Sequence, residues 1–325
     1  MTSQPAFDIV GVGLNATDTV LLVRNFPAYG GKVPFVDEIL SPGGQVASAM
    51  VACAKLGLKA KYIGSIGDDL RGRIQAESLS STGINLDDVI HRENCANQSA
   101  YIIVDQSTGE RTVFWSRPEC LKIDTEWITP DKIACARMLH IDGHDTPAVT
   151  KAARLARENG VPVSVDVDTI YPGFEDVLSS VDYLIASSEF PGRWTKENDP
   201  FKALEIIYRE YNRREFGMKV AAMTLGANGA LALESGRFVY SPGFQVNCID
   251  TTGAGDVFHG AFCYSVLRGM SIEEALEFSN AMAALNCTKL GARGGIGTIE
   301  AVKALLAHPA GRTSSNDFRA AKQTA

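Results

Sequence analysis

Short apolar runs alternate with amphipathic stretches along the chain from residue 131 onward. These runs predict strands. Because they are apolar at successive positions, they are typical of strands buried on both faces of a parallel sheet. They lie at residues 138–142, 161–167, 181–186 and 220–225. Helical periodicity predicts helices at residues 150–159, 201–216, 257–268, 272–289 and 299–307. We therefore expect a doubly wound α/β fold, with a mostly parallel central sheet flanked by helices.

Two stretches break this rhythm and predict a second, smaller sheet. Residues 19–41 are β-prone but interrupted by prolines and glycines, and residues 99–115 alternate as a hairpin does, with Gly109 placed for a bulged turn. This sheet is expected to project from the main domain, as a lid over a site or as a dimer contact. The predicted organisation is one domain at residues 7–308, lid strands within 17–41 and 97–117, and a polar, disordered tail at 309–325.

The most informative motif is the run DTTGAGD at residues 250–256, between a strand-like stretch at 244–249 and a helical pattern. Gly253 and Gly255 let the backbone turn tightly and bring its N–H groups, including that of Ala254, close to a ligand. The first turn of a helix offers unpaired N–H groups and the positive end of the helix dipole, which together favour a phosphate. The motif therefore predicts an anion site.

Asp256 stands in the first turn of this helix, where its carboxylate would repel a bound phosphate. The role that fits is to accept a proton from a hydroxyl group that attacks the phosphoryl group, which points to a kinase acting on an alcohol. The alternative is a helix cap, the ordinary use of aspartate at such a place. Thr251 and Thr252 add hydroxyl donors beside the glycines and favour the ligand site.

A second glycine-rich segment, GVGLNA at residues 11–16, superficially matches a dinucleotide-binding fingerprint. That fingerprint must open a helix, whereas residues 19–23 are β-prone, so we reject a nicotinamide-dependent oxidoreductase. A sharp strand exit would instead expose Asn15 and Asp18, whose short polar side chains suit hydrogen bonds to sugar hydroxyl groups. Ordinary turn formation is the alternative for both residues.

Three further segments supply candidate ligand contacts. Residues 43–45 precede a helical run and can bring backbone N–H groups to a polar ligand, although taken alone they are better explained as a loop and cap. Residues 224–229 follow a predicted strand, at the end where α/β sheets bind ligands. Residues 286–297 can wrap the base of a nucleotide or bring positive charge to its phosphates. The candidates are Gly43, Gly44 and Gln45, then Thr224, Gly226 and Gly229, then Asn286 and Gly291.

Composition narrows the function classes. The 325-residue chain has 45% hydrophobic and 21% charged residues, typical of a globular protein with ample core, and its net charge of −7 argues against nucleic-acid or anionic-membrane surfaces. No secretory signal is visible, and no stretch approaches the ~20 apolar residues of a membrane span. Seven cysteines without a C-x-x-C pair predict buried thiols in a reducing cytosol, with neither a disulfide framework nor a zinc site, and hence a cytoplasmic protein.

In their order along the chain, these motifs resemble those of the ribokinase-like (PfkB) family of sugar kinases. The resemblance runs from Asp8 to about Leu306. It depends on Gly43 and Gly44 opening a helix and on the DTTGAGD run, and the glycine turn at 224–229 supports it.

The resemblance implies the ribokinase-like fold with a sugar-covering lid, and ATP as the phosphoryl donor together with Mg²⁺. It implies that Asp256 is the base and that the N–H groups of residues 253–255 hold the transferring phosphoryl group. Asp18 and Gly44 would contact the sugar, and Thr252 would lie on the nucleotide side. Asp250 would lie beside a site for a monovalent cation such as K⁺.

Within the family, the runs at 250–261 and 285–296 resemble sulfofructose kinase and ketohexokinase-like members. A sugar with an anionic substituent would then find a partner in Arg111 or Arg117 on the predicted hairpin. The alternative is that both are ordinary surface arginines.

The chain departs from the family pattern at two places. Gln45 and Ser48 replace the asparagines that many members carry near the sugar, which argues against ribose and adenosine as substrates. Residues 186–191 lack the Asn-x-x-Glu spacing that organises metal and phosphates, although Glu189 can serve through water.

The function that the resemblance implies is ATP-dependent phosphorylation of a primary hydroxyl group on a ketohexose-like sugar, fructose or a substituted fructose. Because exposed strand edges tend to pair, we also expect a homodimer joined through the lid sheet. One alternative is a kinase for another small polyol, such as 2-keto-3-deoxygluconate, ribose or a nucleoside. Another is a non-catalytic sensor of sugars or nucleotides. The intact Asp256 argues against a sensor, which has no need for a base beside a phosphate.

Overall fold

The computed structural model describes residues 5–308 and Arg312. The tail expected to be disordered, residues 309–325, therefore lies outside the described residues apart from Arg312. Arg312 forms an ion pair with Glu277 and an isolated bridge with Phe244, so this one residue lies against the main domain.

Within the described residues, strands and α-helices alternate along most of the chain. The strands are β1 (Ile9–Val12), β2 (Ala16–Val23), β3 (Phe35–Gly43), β4 (Ala60–Ile63), β5 (Ser65–Gly67), β6 (Ile90–Arg92), β7 (Ser99–Asp105), β8 (Arg111–Ser116), β9 (Leu139–Ile141), β10 (Val163–Val167), β11 (Tyr183–Ala186), β12 (Val220–Thr224), β13 (Ala230–Glu234) and β14 (Arg237–Ser241). The helices are α1 (Gln45–Lys55), α2 (Leu70–Ser80), α3 (Pro130–Ile133), α4 (Thr146–Glu158), α5 (Phe174–Leu178), α6 (Phe190–Thr195), α7 (Pro200–Asn212), α8 (Ala254–Leu267), α9 (Ile272–Asn286) and α10 (Ile299–Leu306).

The main sheet has the order β14-β13-β12-β11-β10-β9-β1-β4. Neighbouring strands from β12 to β4 are parallel, and β13 and β14 extend the sheet as an antiparallel hairpin. Successive residues of β1 show why these strands are apolar throughout: Ile9 packs into the layer of α1, α8 and α9, whereas Val10 packs into the layer of α4 and α7. The predicted doubly wound fold is therefore confirmed.

The structure also contains the predicted smaller sheet, with strand order β3-β2-β7-β8. The pair β2–β7 is parallel, and the pairs β2–β3 and β7–β8 are antiparallel. One face buries Val20, Ile102 and Val104 as a separate apolar cluster. Residues 11–16 lead into β2, not into a helix, as the β-prone pattern after them predicted.

The strand predicted at residues 244–249 is wrong, and the hairpin before it was missed. Phe244 makes an isolated bridge with Arg312, and residues 245–249 pair with no strand among the described residues. The edge of the sheet is instead formed by β13 and β14, which are joined by Ser235 and Gly236, both at positive φ as a tight hairpin turn requires.

The prediction that all seven cysteines are unpaired is wrong for two of them, and the other five are free thiols. Cys95 and Cys120 form a disulfide, which joins the segment before β7 to the segment after β8. The two cysteines are 25 positions apart and meet because the intervening β7–β8 hairpin brings its ends together, which spacing alone does not reveal. The argument for a reducing compartment therefore loses part of its support. None of the helices in the described part of the chain has the length and apolar character needed to cross a bilayer.

Candidate active site

A cleft of about 530 Å³ opens at the carboxyl ends of the parallel strands. Asp166 and Asp168 reach it from the end of β10, Ser187 from the end of β11 and Thr224 from the end of β12. Ligands of open α/β sheets bind at this edge, because the strand ends and the helix N-termini that follow them meet there. The first turn of α8 forms the opposite wall.

The N-terminus of α8 is shaped by one glycine. Gly253 has a φ of 72°, and a Cβ atom there would lie 2.2 Å from the Ala292 carbonyl oxygen, so no larger residue fits this turn. No described residue accepts a hydrogen bond from the N–H of Gly253 or Gly255, whereas the N–H of Ala254 donates to Thr251 O at 3.2 Å. Two of the three predicted anion-binding N–H groups are thus free to meet a ligand.

Asp256 lies in the cleft wall, half-buried, in the first turn of α8. The N-cap of this helix is Gly253, no side chain caps it, and no described group donates a hydrogen bond to the Asp256 carboxylate. The helix-cap alternative therefore does not describe this residue. Burial, together with the negative charge of Asp166, raises the pKa of Asp256 to about 7.

A buried ion pair adjoins Asp256. His259 lies one turn further along α8, and its Nε2 atom is 3.1 Å from Asp166 Oδ1. Burial alone would raise the pKa of Asp166, but the contact with His259 holds it below the ordinary value. Asp166 is therefore charged and faces Asp256. The i,i+3 spacing of Asp256 and His259 places these two residues on one helix face. Nothing in the sequence indicates that His259 pairs with Asp166, which lies on β10.

Asp18 lies on the inner face of the smaller sheet, against the turn that opens α1. A Cβ atom on Gly43 would lie 2.3 Å from Asp18 Oδ2, so the carboxyl group occupies the space that glycine leaves. Burial raises the pKa of Asp18 to about 7, with the charge of Arg293 opposing and that of Asp250 adding to the shift. No described residue donates a hydrogen bond to this carboxyl group.

Asn15 and Gly44 support this corner from within. The Asn15 amide nitrogen donates to Tyr62 Oη at 3.0 Å and to Ser65 O at 2.7 Å, and its oxygen accepts from Asn97, so its hydrogens are directed into the protein. Gly44 has a φ of 92°, and a Cβ atom there would lie 2.4 Å from Asn15 Cα. These residues shape the corner, and neither lines the cleft.

Gln45 and Arg111 are the predicted sugar contacts that do line the cleft. Arg111 reaches it from β8, and its Nη1 atom donates to Thr251 Oγ1 at 2.8 Å. Arg117, by contrast, forms an ion pair with Asp145 at 2.6 Å and is not part of the wall. The smaller sheet therefore closes over the glycine motif and contributes one arginine to the cleft.

Of the predicted nucleotide contacts, some line the cleft and others do not. Thr224, Gly226 and Gly229 line the cleft, whereas Thr252, Asn286 and Gly291 are buried behind the turn. The helix α9 presents a different set of residues to the cleft, with small side chains that leave room for a flat group. They are Ala283 and Ala284 of the helix and Cys287 at its C-cap, and Asn280 lines the cleft beside them.

Acidic side chains were predicted to hold metal ions at two places. Glu189 has 78% of its side chain exposed and does not line the cleft. Asp250 is fully buried, and both of its oxygens accept backbone hydrogen bonds. Besides Asp256, carboxylate oxygens in the cleft come from Asp166 and Asp168, and burial next to Asp166 raises the pKa of Asp168. Residues 5–308 and 312 contain no cluster of three or more potential metal-ligating side chains.

The run at residues 286–297 was predicted to bring positive charge to phosphates, but its arginine, Arg293, points into the protein. Its Nε and Nη1 atoms donate to Ser48 Oγ at 3.0 Å and Ser78 Oγ at 2.9 Å, and its Nη2 atom donates to Gly43 O at 2.6 Å. Burial lowers the pKa of Arg293 to about 10, against the opposing charge of Asp256. The guanidinium group therefore joins the loop after α9, which contains Arg293, to the turn before α1.

The chain matches the model of the pfkB family of carbohydrate kinases over residues 7–298. It is 32% identical to the ATP-dependent ribose-1-phosphate kinase of Halopiger xanaduensis, over 89% of this chain and 94% of that protein. It is 28% identical to fructokinase-2 of Oryza sativa subsp. japonica, over 84% and 87%. The crystal structure of ribokinase from Thermotoga maritima superposes with a TM-score of 0.74 at 26% identity, over 93% of this chain and all of that one. The protein therefore belongs to the pfkB family and is a sugar kinase.

Proposed function

We propose that this sugar kinase transfers the γ-phosphoryl group of ATP to a primary hydroxyl group of a ketohexose-like sugar, with Asp256 as the general base. The observation that carries the proposal is the Asp256 carboxylate, which faces the cleft without a protein partner beside the free N–H groups of Gly253 and Gly255. Its pKa of about 7 suits proton transfer near neutral pH.

In the proposed reaction, the sugar hydroxyl oxygen forms a bond to the γ-phosphorus while the bond from that phosphorus to the β-bridging oxygen breaks, which releases ADP. The hydroxyl proton passes to Asp256. The N–H groups of Gly253 and Gly255 donate to the phosphoryl oxygens as charge spreads over them, aided by the N-terminal end of α8.

Mg²⁺ fits the oxygen donors of the cleft. Magnesium ions are usually held by one or two carboxylates together with phosphates and water, and Asp166 and Asp168 supply carboxylates on the phosphate side. When bound, the ion neutralises charge on the nucleotide phosphates. Glu189 does not line the cleft, so any contact it makes with the ion would be through water.

On the sugar side, we propose that the acceptor is recognised by Asp18, Gly43, Gly44, Gln45 and Arg111. The hydrogen bonds of Asn15 to Tyr62, Ser65 and Asn97 would keep this corner in place. A buried carboxyl group without a protein donor, as at Asp18, is suited to accept hydrogen bonds from sugar hydroxyl groups. Arg111 supplies one cation for an anionic substituent, whereas Arg117 is already neutralised by Asp145.

A pentose is the second candidate substrate, since relatives include a ribose-1-phosphate kinase. A screen for ADP release with Mg²⁺ separates the candidates, over fructose, sulfofructose, fructose phosphates, 2-keto-3-deoxygluconate, ribose, ribose 1-phosphate and nucleosides. We expect the highest kcat/KM with a ketohexose. Turnover confined to ribose or ribose 1-phosphate would overturn the ketohexose assignment, and ligand binding without any ADP would favour a sensor.

We also propose a homodimer formed through the outer face of the smaller sheet, in a cytoplasmic protein where ATP is available. Leu40, Tyr101 and Phe114 lie in one cross-strand row on that face and are 42%, 51% and 57% exposed. Apolar side chains in such a row are suited to pack on a second copy. Light scattering should give a dimer for the wild type and a monomer for Tyr101→Glu, with Thr108→Glu at the hairpin turn as the control. A monomeric wild type would contradict the dimer.

A further inference from the structure

The side chain of Asn286, at the end of α9, lies where two backbone carbonyl groups converge behind the DTTGAGD turn. Its Nδ2 atom donates to Thr252 O at 3.2 Å and to Ala292 O at 3.0 Å. Its Oδ1 atom accepts from the N–H of Gly295 at 3.2 Å. The side chain is completely buried. One amide group therefore joins the loop after α9 to the turn before α8.

This arrangement does not fit the monovalent cation that the family resemblance implies beside Asp250. Asp250 Oδ1 accepts from the Thr252 N–H at 2.8 Å, and Oδ2 accepts from the Gly291 N–H at 2.7 Å. Potassium ions in proteins are held largely by converging carbonyl oxygens. Here the carbonyl groups of Thr252 and Ala292 converge on a nitrogen donor, Nδ2 of Asn286.

The contact with Thr252 has a consequence for the cleft. The carbonyl group of Thr252 and the N–H group of Gly253 belong to one planar trans peptide unit, so they point in opposite directions. A donor on the carbonyl side fixes the plane of this unit and polarises its N–H. The N–H of Gly253 is one of the two free donors at the α8 N-terminus.

We propose that Asn286 is a positioning residue that replaces a monovalent cation, so that phosphoryl transfer proceeds without K⁺. The inference rests on the proposed function of the cleft for its kinetic consequence. Its structural part, the absence of a K⁺ site at Asp250 and Asn286, is independent of the substrate.

The first test compares the wild-type protein in potassium chloride and in tetramethylammonium chloride at equal ionic strength. We expect equal initial rates with the best sugar of the screen, and equal melting temperatures without any sugar. Saturable activation by K⁺, or a rise in melting temperature specific to K⁺, would overturn the proposal, because an ion that binds the folded state stabilises it. The melting measurement stays informative even if no sugar is phosphorylated, so failure of the proposed function is distinguishable.

The second test is Asn286→Ala, which removes the donor. We expect kcat to fall about 10- to 100-fold, less than the roughly 10²–10³-fold cost of removing such a donor outright, because the N–H of Gly253 is misdirected and not lost. The KM for the sugar should be unchanged. Asn212→Ala is the matched control, since Asn212 also ends a helix and donates to a loop carbonyl, Met218 O at 2.8 Å, away from the cleft. A folded Asn286→Ala variant with wild-type kcat would refute the positioning role. If that variant does not fold, the wild-type salt comparison decides.

Discussion

Asp256→Asn is expected to lower kcat by about 10²–10⁴-fold, the range that general-base assistance supplies, while ATP binding is retained. Asparagine keeps the size of the side chain but cannot accept a proton from the attacking hydroxyl group. Because the carboxylate caps no helix N–H and accepts no described hydrogen bond, its loss removes chemistry and leaves the local fold intact. Steady-state kinetics with the best sugar and calorimetry with ATP measure the two effects.

The control for this prediction is Asp131→Asn. Asp131 also lies in the first turn of a helix, α3, but away from the cleft. Its substitution should leave kcat at the wild-type value. Near-wild-type activity of Asp256→Asn would remove Asp256 from the reaction, and equal losses in both variants would show that the effect is one of folding.

Arg293→Met is expected to lower the free energy of unfolding by about 2–4 kcal/mol. The substitution leaves the buried acceptors Ser48 Oγ and Gln75 Oε1 without their donor, and each unsatisfied buried group costs about 1–3 kcal/mol. The part-buried Ser78 also loses its donor, whereas Gly43 O keeps its hydrogen bond from Gln75. Part of this cost is offset because burying an arginine charge is itself unfavourable. Denaturant unfolding measures the change.

The same substitution also changes electrostatics at the site. Removing the positive charge is expected to raise the pKa values of Asp18 and Asp256 further, because Arg293 favours the charged form of Asp18 and is itself influenced by Asp256. Arg154→Met, at an exposed position of α4, is the matched control and should change stability by less than about 0.5 kcal/mol. Equal stability of the two variants would contradict the role assigned to the buried guanidinium group.

The sequence predicted the parts of the fold and site that local pattern determines. The strands β10 and β12 are apolar at successive positions, so their burial in a parallel sheet followed directly from the sequence. The turn at Gly253 could also be predicted, because it depends on the glycine spacing and the helical pattern within a few residues of it. Asp256 was found for the same reason.

Contacts between distant segments could not be predicted in this way. Arg293 and Gly43 are 250 positions apart, and nothing in the run around Arg293 indicates that its side chain turns inward instead of towards a phosphate. Asn286 was likewise predicted to contact the nucleotide, because nothing in the sequence indicates its hydrogen bond to the distant Thr252. The strand predicted at 244–249 failed because an apolar run does not reveal whether a neighbouring strand is present to pair with it.

The most direct test of Asp256 as the base is the single-turnover rate of phosphoryl transfer, measured against pH for the wild type and Asp256→Asn at saturating ATP and sugar. A base must be deprotonated to act, and Asp256 is protonated below its pKa of about 7. The wild-type rate should therefore fall as the pH drops below 7, by about tenfold per pH unit, whereas the variant should be slow and independent of pH. A variant that keeps the wild-type rate, or shows the same pH dependence, would contradict the account.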